Sequence, residues 1–303
     1  MKNYTIIGCG DIGKRVAKEL LAQGCRVQAT VRHVDDVAQL EDIGVIPVVA
    51  DFDRREDLPC LAIDRQQLFY FMPPQGGGTI DARMANFCRM LAPDNCPQRI
   101  VYMSTSGVYG DCKGALVTEE TPLNPQTSRA KRRVSAETQL QETARELGFN
   151  LIILRVTGIY GPGRLPLAQL HKGHQVLRPE DSPETNRIHS QDLVRICLAA
   201  MERGYPGDIF NVCDGQPGSM SEYFIAVADL FSLPRPQQLS WDEARQVMNP
   251  LTLSFLQESR RMTNRKLLDK LGLELLYPTL KEGLEACRQP HHEQIAAISR
   301  HRH

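Results

Sequence analysis

The sequence has no excess of charge of either sign and no long apolar run. Among its 303 residues, 36 are Lys or Arg and 36 are Asp or Glu, so the formal net charge is zero. General binding to nucleic acid or to a membrane surface needs a basic patch, and this balance argues against both partners. A membrane-spanning helix needs about 20 apolar residues, and the first residues lack the pattern of a secretory signal. We therefore expect a cytoplasmic protein that binds neither nucleic acid nor membrane.

The nine cysteines form no C-x-x-C pair and follow no regular spacing. Structural zinc sites and disulfide frameworks both depend on such spacing. The sequence therefore predicts reduced thiols and no metal site. Apolar residues make up 42% and charged residues 24% of the chain, which is ordinary for a globular protein.

The chain is organised around a glycine-rich loop near its start. Tyr4–Ile7 is a short apolar run typical of a strand, and an amphipathic helix follows the loop Gly8-Cys9-Gly10-Asp11-Ile12-Gly13. In a G-x-G-x-x-G loop the first glycine allows a tight turn, the second lets a pyrophosphate approach the backbone, and the third brings the helix close to the strand. The helix N-terminus then offers free N–H groups to the phosphates. We expect Gly8, Gly10, Asp11, Ile12 and Gly13 to bind a dinucleotide; the alternative is a tight turn without a ligand.

The first half alternates between strand and helix patterns, which is typical of a parallel sheet covered on both faces. The predicted strands are Tyr4–Ile7, Arg26–Val31, Val45–Ala50, Leu68–Met72, Arg99–Ser104 and Asn150–Arg155. The predicted helices of this half are Lys14–Leu21, Val34–Ile43, Thr79–Leu91 and Ser128–Leu147. The fold class is therefore α/β, a Rossmann-type doubly wound parallel sheet.

The second half is less regular and is expected to form a small C-terminal substrate lobe. We assign residues 1–156 to the dinucleotide-binding domain and residues 157–303 to the lobe, with the strand Asp208–Cys213 returning to the sheet. A short helix is expected near Ser190, and the tail with its terminal histidines is expected to be disordered. Further helices are predicted at Met220–Phe231, Asp242–Met248 and Thr263–Leu271, separated by Pro234, Pro236, Pro250 and Pro278.

The residue after the second strand bears on the choice of cofactor. NAD-binding proteins usually carry Asp or Glu about 20 residues after the glycines, where it holds the ribose hydroxyls. Here the strand ends at Val31 and is followed by Arg32. A guanidinium can hold a 2′-phosphate through two hydrogen bonds, whereas a carboxylate would repel it. We expect NADP, with NAD as the alternative; Arg32 could also be a solvated surface residue.

Two further strand ends are candidates for cofactor contacts. Asp51-Phe52-Asp53 follows the third strand, where a carboxylate can accept a hydrogen bond from the adenine amino group or cap a turn. Pro73 and Pro74 open a proline- and glycine-rich loop after the fourth strand. That loop lies beside the cofactor, or it is an ordinary flexible connection.

Several of these stretches, in this order, resemble the extended short-chain dehydrogenase/reductase family, also called the NAD-dependent epimerase/dehydratase family. The resemblance covers nearly the whole chain, up to about Arg288. The segments that carry it are the glycine loop, Asp51 with Asp53, Ser104–Gly110 (S-T-S-G-V-Y-G), Arg155–Arg164, which ends Y-G-P-G-R, Arg187–Asp192, Phe210–Val212, Ser259–Arg261 and Lys266–Gly272. It implies a nicotinamide cofactor and a small polar substrate, such as a nucleotide sugar.

The resemblance also implies a catalytic Ser or Thr and a Tyr-x-x-x-Lys pair, and this sequence departs from the second pattern. Thr105 falls on the Ser/Thr position. One register of the pair aligns Arg129 with the Tyr and Arg133 with the Lys; the other aligns Thr127 and Lys131, so neither supplies a phenol. Arginine does not release its proton near neutral pH. We expect Arg129 to polarise a carbonyl or bind an anion and Arg133 to hold a ribose or a phosphate.

Ser106, Tyr109, Tyr160, Arg164 and His189 follow from the same resemblance as candidates that border the substrate. Tyr109 and Tyr160 fit packing or lining roles better than that of a relocated acid, and His189 could equally be a structural cap. The missing pair and the shortened glycine loop resemble the atypical branch of the family.

Two functions of different class therefore remain open, with a flavin protein as a weaker third. The first is an NADP- or NAD-dependent oxidoreductase, epimerase or dehydratase. The second is a non-catalytic sensor that binds NADP(H) and regulates a partner. The helices after the fourth and fifth strands form a dimer face in many relatives, so a homodimer is a further expectation.

Overall fold

A parallel sheet of seven strands forms the centre of the protein, which we describe from a computed structural model for residues 2–54, 58 and 61–288. In chain order the strands are β1 (Asn3–Ile7), β2 (Arg26–Val31), β3 (Ile46–Val49), β4 (Gln67–Tyr70), β5 (Arg99–Thr105), β6 (Leu116–Val117), β7 (Asn150–Val156), β8 (Gly158–Tyr160), β9 (Gln175–Leu177), β10 (Glu184–Thr185), β11 (Arg187–His189), β12 (Ile209–Val212), β13 (Gly218–Ser219), β14 (Gln237–Leu239) and β15 (Arg261–Met262). The order across the central sheet is β12-β7-β5-β4-β1-β2-β3.

Helices cover both faces of this sheet. They are α1 (Asp11–Ala22), α2 (Val37–Glu41), α3 (Ala82–Met90), α4 (Ser128–Leu147), α5 (Leu167–His171), α6 (Ser190–Arg203), α7 (Met220–Leu230), α8 (Trp241–Val247), α9 (Pro250–Leu256) and α10 (Arg265–Leu271), and residues 280–288 are also helical. One apolar core lies between the sheet and α1, α6 and α10, and a second lies between the sheet and α3 and α4. The predicted Rossmann-type doubly wound sheet is confirmed.

The strand sequences explain the buried sheet. β4, β5 and β7 are almost entirely buried along their lengths, as expected for parallel strands covered on both faces. The strand order reverses between β1 and β4, because β2 and β3 extend the sheet on one side of β1 and β4 begins the other. Ligands of doubly wound sheets bind outside the carboxyl ends of the strands at such a reversal. The glycine loop after β1 and the proline-containing loop after β4 both lie there.

The second half differs from prediction at α6 and α9, and it also contains α5 and the helix at residues 280–288, which were not predicted. α6 is 14 residues long rather than short, because its apolar side chains, among them Leu193 and Ile196, are buried in the core on the α1 face of the sheet. Pro250 begins α9 instead of only interrupting the chain. Asn249 caps this helix by accepting a hydrogen bond from the backbone N–H of Thr252, and proline is tolerated at the first helical position, where no N–H donor is needed.

The remaining strands form four two-stranded sheets, which pair β8 with β11, β9 with β14, β10 with β13, and β6 with β15. The last pair joins a segment that follows β5 to the C-terminal part of the chain. These strands and the helices α5, α7, α8 and α9 belong to the segments that follow β5 and β7 in the chain. The tail with its terminal histidines, for which disorder was predicted, lies outside the described residues. No helix among the described residues is long and apolar enough to cross a membrane.

Candidate functional site

A cavity of about 1030 Å³ opens beside the carboxyl ends of β5 and β7. Its walls come from segments far apart in sequence, including the loop after β4, the end of β5, the first turns of α4 and the residues after β7. The predicted site residues that line it are Pro74, Thr105, Ser106, Arg129, Arg133, Tyr160 and Arg164. The structure thus brings one member of the predicted cofactor set together with most of the predicted catalytic and substrate sets.

The glycine loop packs directly against the loop after β4. Gly8 has a φ of +84°, and a Cβ placed there would lie 2.6 Å from the Met72 backbone. Gly13 is also tight, since its Cβ would lie 3.3 Å from the Gly8 carbonyl oxygen. A Cβ on Gly10 would meet no atom within 4 Å. The space at Gly10 is therefore open to a ligand, and this cradle fits the pyrophosphate of a dinucleotide.

Asp11 and Ile12 use their side chains for other purposes than cofactor contact. The Ile12 side chain is buried in the core on the α1 face of the sheet, so only its backbone can face a ligand. Asp11 Oδ1 accepts a hydrogen bond from Arg15 Nε at 2.8 Å, and its Oδ2 accepts one from Arg164 at 2.8 Å. These hydrogen bonds lower the pKa of Asp11 against the opposing effect of its burial. Two guanidinium groups beside one carboxylate leave the entrance of α1 positively charged, which suits a phosphate.

Arg32 lies in a cluster of two arginines and two aspartates. Its guanidinium is 2.9 Å from Asp53 Oδ2 and 3.6 Å from Asp51 Oδ2, and half of its side chain is exposed. Arg83 donates two hydrogen bonds to Asp53, at 2.6 and 2.7 Å, and the pKa of Asp53 is lowered mainly by this contact. Because Arg83 already satisfies Asp53, Arg32 can leave it for another anion at small cost. The Phe52 side chain is only 2% exposed and packs in the core, so the predicted cofactor contact at this position would have to come from the backbone.

Pro73 and Pro74 differ in their surroundings. The Pro73 carbonyl accepts a hydrogen bond from Arg83 at 3.0 Å, whereas Pro74 lines the cavity. Arg132 of α4 donates hydrogen bonds to the carbonyls of Gly77 and Gly78, at 3.0 and 2.7 Å. The loop after β4 is thus held between α3 and α4 at the mouth of the cavity.

Thr105 ends β5 and presents its hydroxyl at the cavity wall. Its Oγ accepts a hydrogen bond from the Gly107 backbone N–H at 3.3 Å, which caps the 3-10 turn that Ser106 begins. A hydroxyl that accepts one hydrogen bond still has its own proton to donate. Thr105 can therefore donate to an oxygen of a molecule bound in the cavity.

Arg129 and Arg133 reach the cavity from the first two turns of α4. Arg133 contacts the Tyr102 hydroxyl and the Met103 carbonyl, both at 3.3 Å. Arg129 donates to Ser254 Oγ at 2.9 Å, and its guanidinium carbon lies 3.6 Å from the centroid of the Phe255 ring. Tyr102 is completely buried, and burial raises its pKa to about 12, so it is no substitute for the missing phenol.

Tyr109, expected from the sequence to border the substrate, does not line the cavity. Only 1% of it is exposed. Its hydroxyl donates to Asn211 Oδ1 at 2.8 Å and accepts from Arg155 at 2.9 Å. Arg155 in turn pairs with the buried Glu137 at 2.8 Å. Tyr109 belongs to a buried polar network behind the β5 wall of the cavity.

His189, the other substrate candidate that does not line the cavity, is also buried. It is 1% exposed. Its Nδ1 accepts a hydrogen bond from the Gln191 backbone N–H, which caps α6. Burial lowers its pKa to about 4, so the imidazole is neutral near pH 7. Tyr160 packs edge-on against His189 at a centroid distance of 5.2 Å and lines the cavity with only 1% of its surface exposed.

Sequence reasoning missed the strong positive charge of the cavity. Besides Arg129, Arg133 and Arg164, its described lining includes Arg132, Arg187 and Arg260, against the two carboxylates Glu184 and Glu258. The arginines are separated by up to 131 residues, from 129 to 260, and only the tertiary structure brings them together. Such an excess favours an anionic ligand. Within the described residues no group of three or more His, Cys, Asp or Glu side chains could hold a metal ion.

The sequence is similar to a known protein family and to proteins of several bacteria. The NAD dependent epimerase/dehydratase family matches residues 79–213. Protein YeeZ of Escherichia coli is 26% identical over 245 residues, covering 78% of this chain and 86% of that protein. The 4-hydroxy-2-methyl-3-oxo-4-farnesyl-3,4-dihydroquinoline-1-oxide ketoreductase of Stigmatella aurantiaca is 26% identical over 238 residues, covering 74% of this chain and 71% of that enzyme.

Solved structures extend the similarity to nearly the whole chain. A functionally unknown conserved protein from Silicibacter pomeroyi aligns with a TM-score of 0.81 and 30% identity, covering 96% of this chain and 99% of that one. The dTDP-glucose 4,6-dehydratase of Bacillus anthracis in complex with NAD shares the fold, with a TM-score of 0.75, 16% identity and 97% of both chains covered. The family match over residues 79–213 and the 30% identical relative show that the chain belongs to the NAD-dependent epimerase/dehydratase family.

Proposed function

We propose that this protein is an oxidoreductase, epimerase or dehydratase that binds a nicotinamide dinucleotide at the glycine loop and acts on a carbonyl or hydroxyl group of a small anionic substrate. The observation that carries the proposal is the position of Thr105 in an arginine-rich cavity, whose wall residue Arg164 hydrogen-bonds Asp11 of that loop. A nucleotide sugar is our leading candidate substrate, because its diphosphate would match the arginines. The ketoreductase among the relatives and the NAD-bound dehydratase with the same fold support this class of reaction.

Some residues of this chain fit the cofactor, and others would contact the reacting oxygen of the substrate. Gly8, Gly10 and the N-terminus of α1 would hold the pyrophosphate. When bound, the nicotinamide supplies or accepts a hydride. Thr105 orients the reacting oxygen by donating a hydrogen bond, and Arg133 stabilises negative charge that develops on it. Since an arginine does not give up its proton near pH 7, we infer that a solvent molecule exchanges the proton.

Replacement of Thr105 tests the enzyme directly. With NADPH and a panel of carbonyl compounds that includes 4-keto nucleotide sugars, we expect turnover that falls by about 100-fold in Thr105→Ala, because the positioned hydrogen bond is lost. Thr105→Ser keeps the hydroxyl and should retain most of the activity. Unchanged turnover in Thr105→Ala would remove Thr105 from the mechanism.

A non-catalytic sensor of NADP(H) is the second candidate, favoured by the absence of a tyrosine from α4. Such a protein would bind the cofactor and change a partner interaction without consuming it. Steady turnover of any substrate by the purified protein, abolished by Thr105→Ala, would eliminate this alternative. Binding of NADPH without turnover across the panel would favour it.

We propose a preference for NADP over NAD, based on the half-exposed Arg32. In Arg32→Ala the affinity for NADPH should fall by about tenfold, the usual worth of a charged hydrogen bond, while the affinity for NADH should change little. Fluorescence titration with both cofactors measures this. Equal losses for the two cofactors would show that Arg32 does not read the 2′-phosphate.

Assembly, location and domain division stay predictions. We propose that residues 1–156 bind the dinucleotide and that residues 157–303 carry the substrate lobe, with Ile209–Val212 contributing to the sheet. A homodimer through α3 and α4 is testable by light scattering, which would report twice the mass of the 34.0 kDa chain. Fractionation of cells would test the expected cytoplasmic location.

A further inference from the structure

A buried carboxylate with an unused oxygen lies in the wall of the cavity. Glu258 is 7% exposed and lines the cavity. Its Oε2 accepts two hydrogen bonds from the guanidinium of Arg260, both at 3.0 Å. Its Oε1 is buried and has no hydrogen-bond partner among the described residues. A carboxylate can accept about four hydrogen bonds, so half of its capacity is unused in a side chain that borders the cavity.

The position of this carboxylate is fixed by its neighbours. Arg260 also donates to the Gly110 carbonyl. The adjacent Ser259 donates its backbone N–H to Asp111 Oδ1 at 2.9 Å, and its hydroxyl accepts the backbone N–H of Glu184 at 3.1 Å. Glu258 is therefore held between the segment after β5 and the segment that begins β10. A group fixed in this way loses little conformational entropy when it binds a ligand.

The charge around Glu258 defines the ligand that it can accept. Six arginines line the same cavity and attract an anion. A bare anion next to Glu258 would be repelled by its charge, and the unused oxygen would remain without a partner, which is costly in a buried place. An anion that also carries a hydrogen-bond donor satisfies both the arginines and Oε1. The site thus favours a hydroxylated anion over an equally charged anion without hydroxyl groups.

We infer that Glu258 is a specificity-determining residue, whose Oε1 accepts a hydrogen bond from a hydroxyl group of an anionic substrate. This inference rests on the proposed function, because it assumes that the cavity binds the substrate. It adds to that function a residue that selects hydroxylated anions, such as sugar phosphates and nucleotide sugars, by a donor rather than by charge.

Two matched pairs of ligands test this selectivity by calorimetric titration. Glucose 1-phosphate and cyclohexyl phosphate share a six-membered ring and a phosphate but differ in their hydroxyl groups; UDP-glucose and UDP form the second pair. The titrations use the wild-type protein, Glu258→Gln and Glu184→Gln. The last variant removes the same charge from the other carboxylate that lines the cavity. Unlike Glu258, Glu184 has no side-chain oxygen that is buried and lacks a hydrogen-bond partner. All three are titrated with and without saturating NADPH.

In the wild type we expect the hydroxylated member of at least one pair to bind more tightly. In Glu258→Gln that preference should fall by about tenfold, because a hydrogen bond to a charged oxygen is replaced by one to a neutral amide, while cyclohexyl phosphate or UDP binds as well or better. Glu184→Gln should increase the affinity for all of these anions and leave the preference for the hydroxylated member unchanged.

The inference would be overturned if the preference were equal in the wild type and Glu258→Gln, or if no hydroxylated anion bound at millimolar concentration. Thermal denaturation of each variant checks that it is folded. If the same samples bound NADPH normally, such a result would refute the role of Glu258 and leave the cofactor site intact. If the wild-type protein did not bind NADPH, the proposed function itself would be refuted.

Discussion

Gly10→Val is expected to abolish dinucleotide binding, with an affinity loss of at least about 100-fold, while the protein stays folded. The reason is that a side chain at Gly10 meets no protein atom within 4 Å but projects into the space for the pyrophosphate. Gly10 is the N-cap of α1 with a φ of −75°, which other residues adopt. The free energy of unfolding should change by no more than about 1 kcal/mol, since a poorer cap is offset by a less flexible unfolded chain.

Gly8→Ala is the matched control for this result. At φ +84° and with the Met72 backbone 2.6 Å from the added Cβ, this change should destabilise the fold by more than about 2 kcal/mol. The two variants separate the role of a glycine in packing from its role toward a ligand. Urea denaturation and NADPH fluorescence measure both quantities. Wild-type NADPH affinity in Gly10→Val would contradict a dinucleotide site at this loop.

Arg155→Met is expected to lower the free energy of unfolding by about 3–5 kcal/mol, because it leaves the buried Glu137 carboxylate without its cation. Arg155 and Glu137 are 4% and 2% exposed and lie 2.8 Å apart. Glu137 Oε1 also accepts a hydrogen bond from Ser104 Oγ, and Arg155 donates to the Tyr109 hydroxyl at 2.9 Å. This network joins β5, α4 and β7 directly behind Thr105.

The double variant Glu137→Leu with Arg155→Met provides the control for this pair. Removal of both charges leaves no unpaired ion, so much of the lost stability should return. Urea denaturation of the two single variants and the double variant forms a complete thermodynamic cycle. A loss below about 1 kcal/mol in Arg155→Met would show that the pair is exchanged for water. In that case it could not hold the wall of the cavity in place.

The sequence predicts the elements whose signal is local. α4 begins and ends where its pattern does, at Ser128 and Leu147. Its boundaries are marked by Thr127, whose side chain caps the first turn, and by Gly148 in the left-handed conformation at its end. The strands of the central sheet were predicted to within about two residues, because continuous apolar runs in an alternating chain leave few other assignments. The eight short strands of the two-stranded sheets were not predicted.

The cavity was harder to predict, because exposure is a property of the tertiary structure. Tyr109 and His189 lie in motifs next to strand ends, yet both side chains turn into the interior. Glu258 gave no signal, since a single acidic residue in an irregular segment resembles any surface residue. Its burial and its partner Arg260 become visible only when the chain folds back on the segment after β5.

The absence of a phenol on α4 gives the chemistry its particular form. Arg129 and Arg133 line the cavity from α4, and an arginine side chain is not a proton donor near neutral pH. In the proposed reaction these arginines bind and polarise an oxygen, and solvent supplies the proton. The dehydrogenase-like reaction stays a proposal, and the cofactor site is its most direct point of test.

Titration of the purified apo-protein with NADPH and with NADH, followed by nicotinamide fluorescence, tests whether the glycine loop binds a dinucleotide. We expect saturable binding of NADPH, weaker binding of NADH, and no binding of either by Gly10→Val. If neither cofactor bound the wild-type protein at millimolar concentration, the glycine loop would be only a tight turn, and the proposed dinucleotide-dependent enzyme would be contradicted.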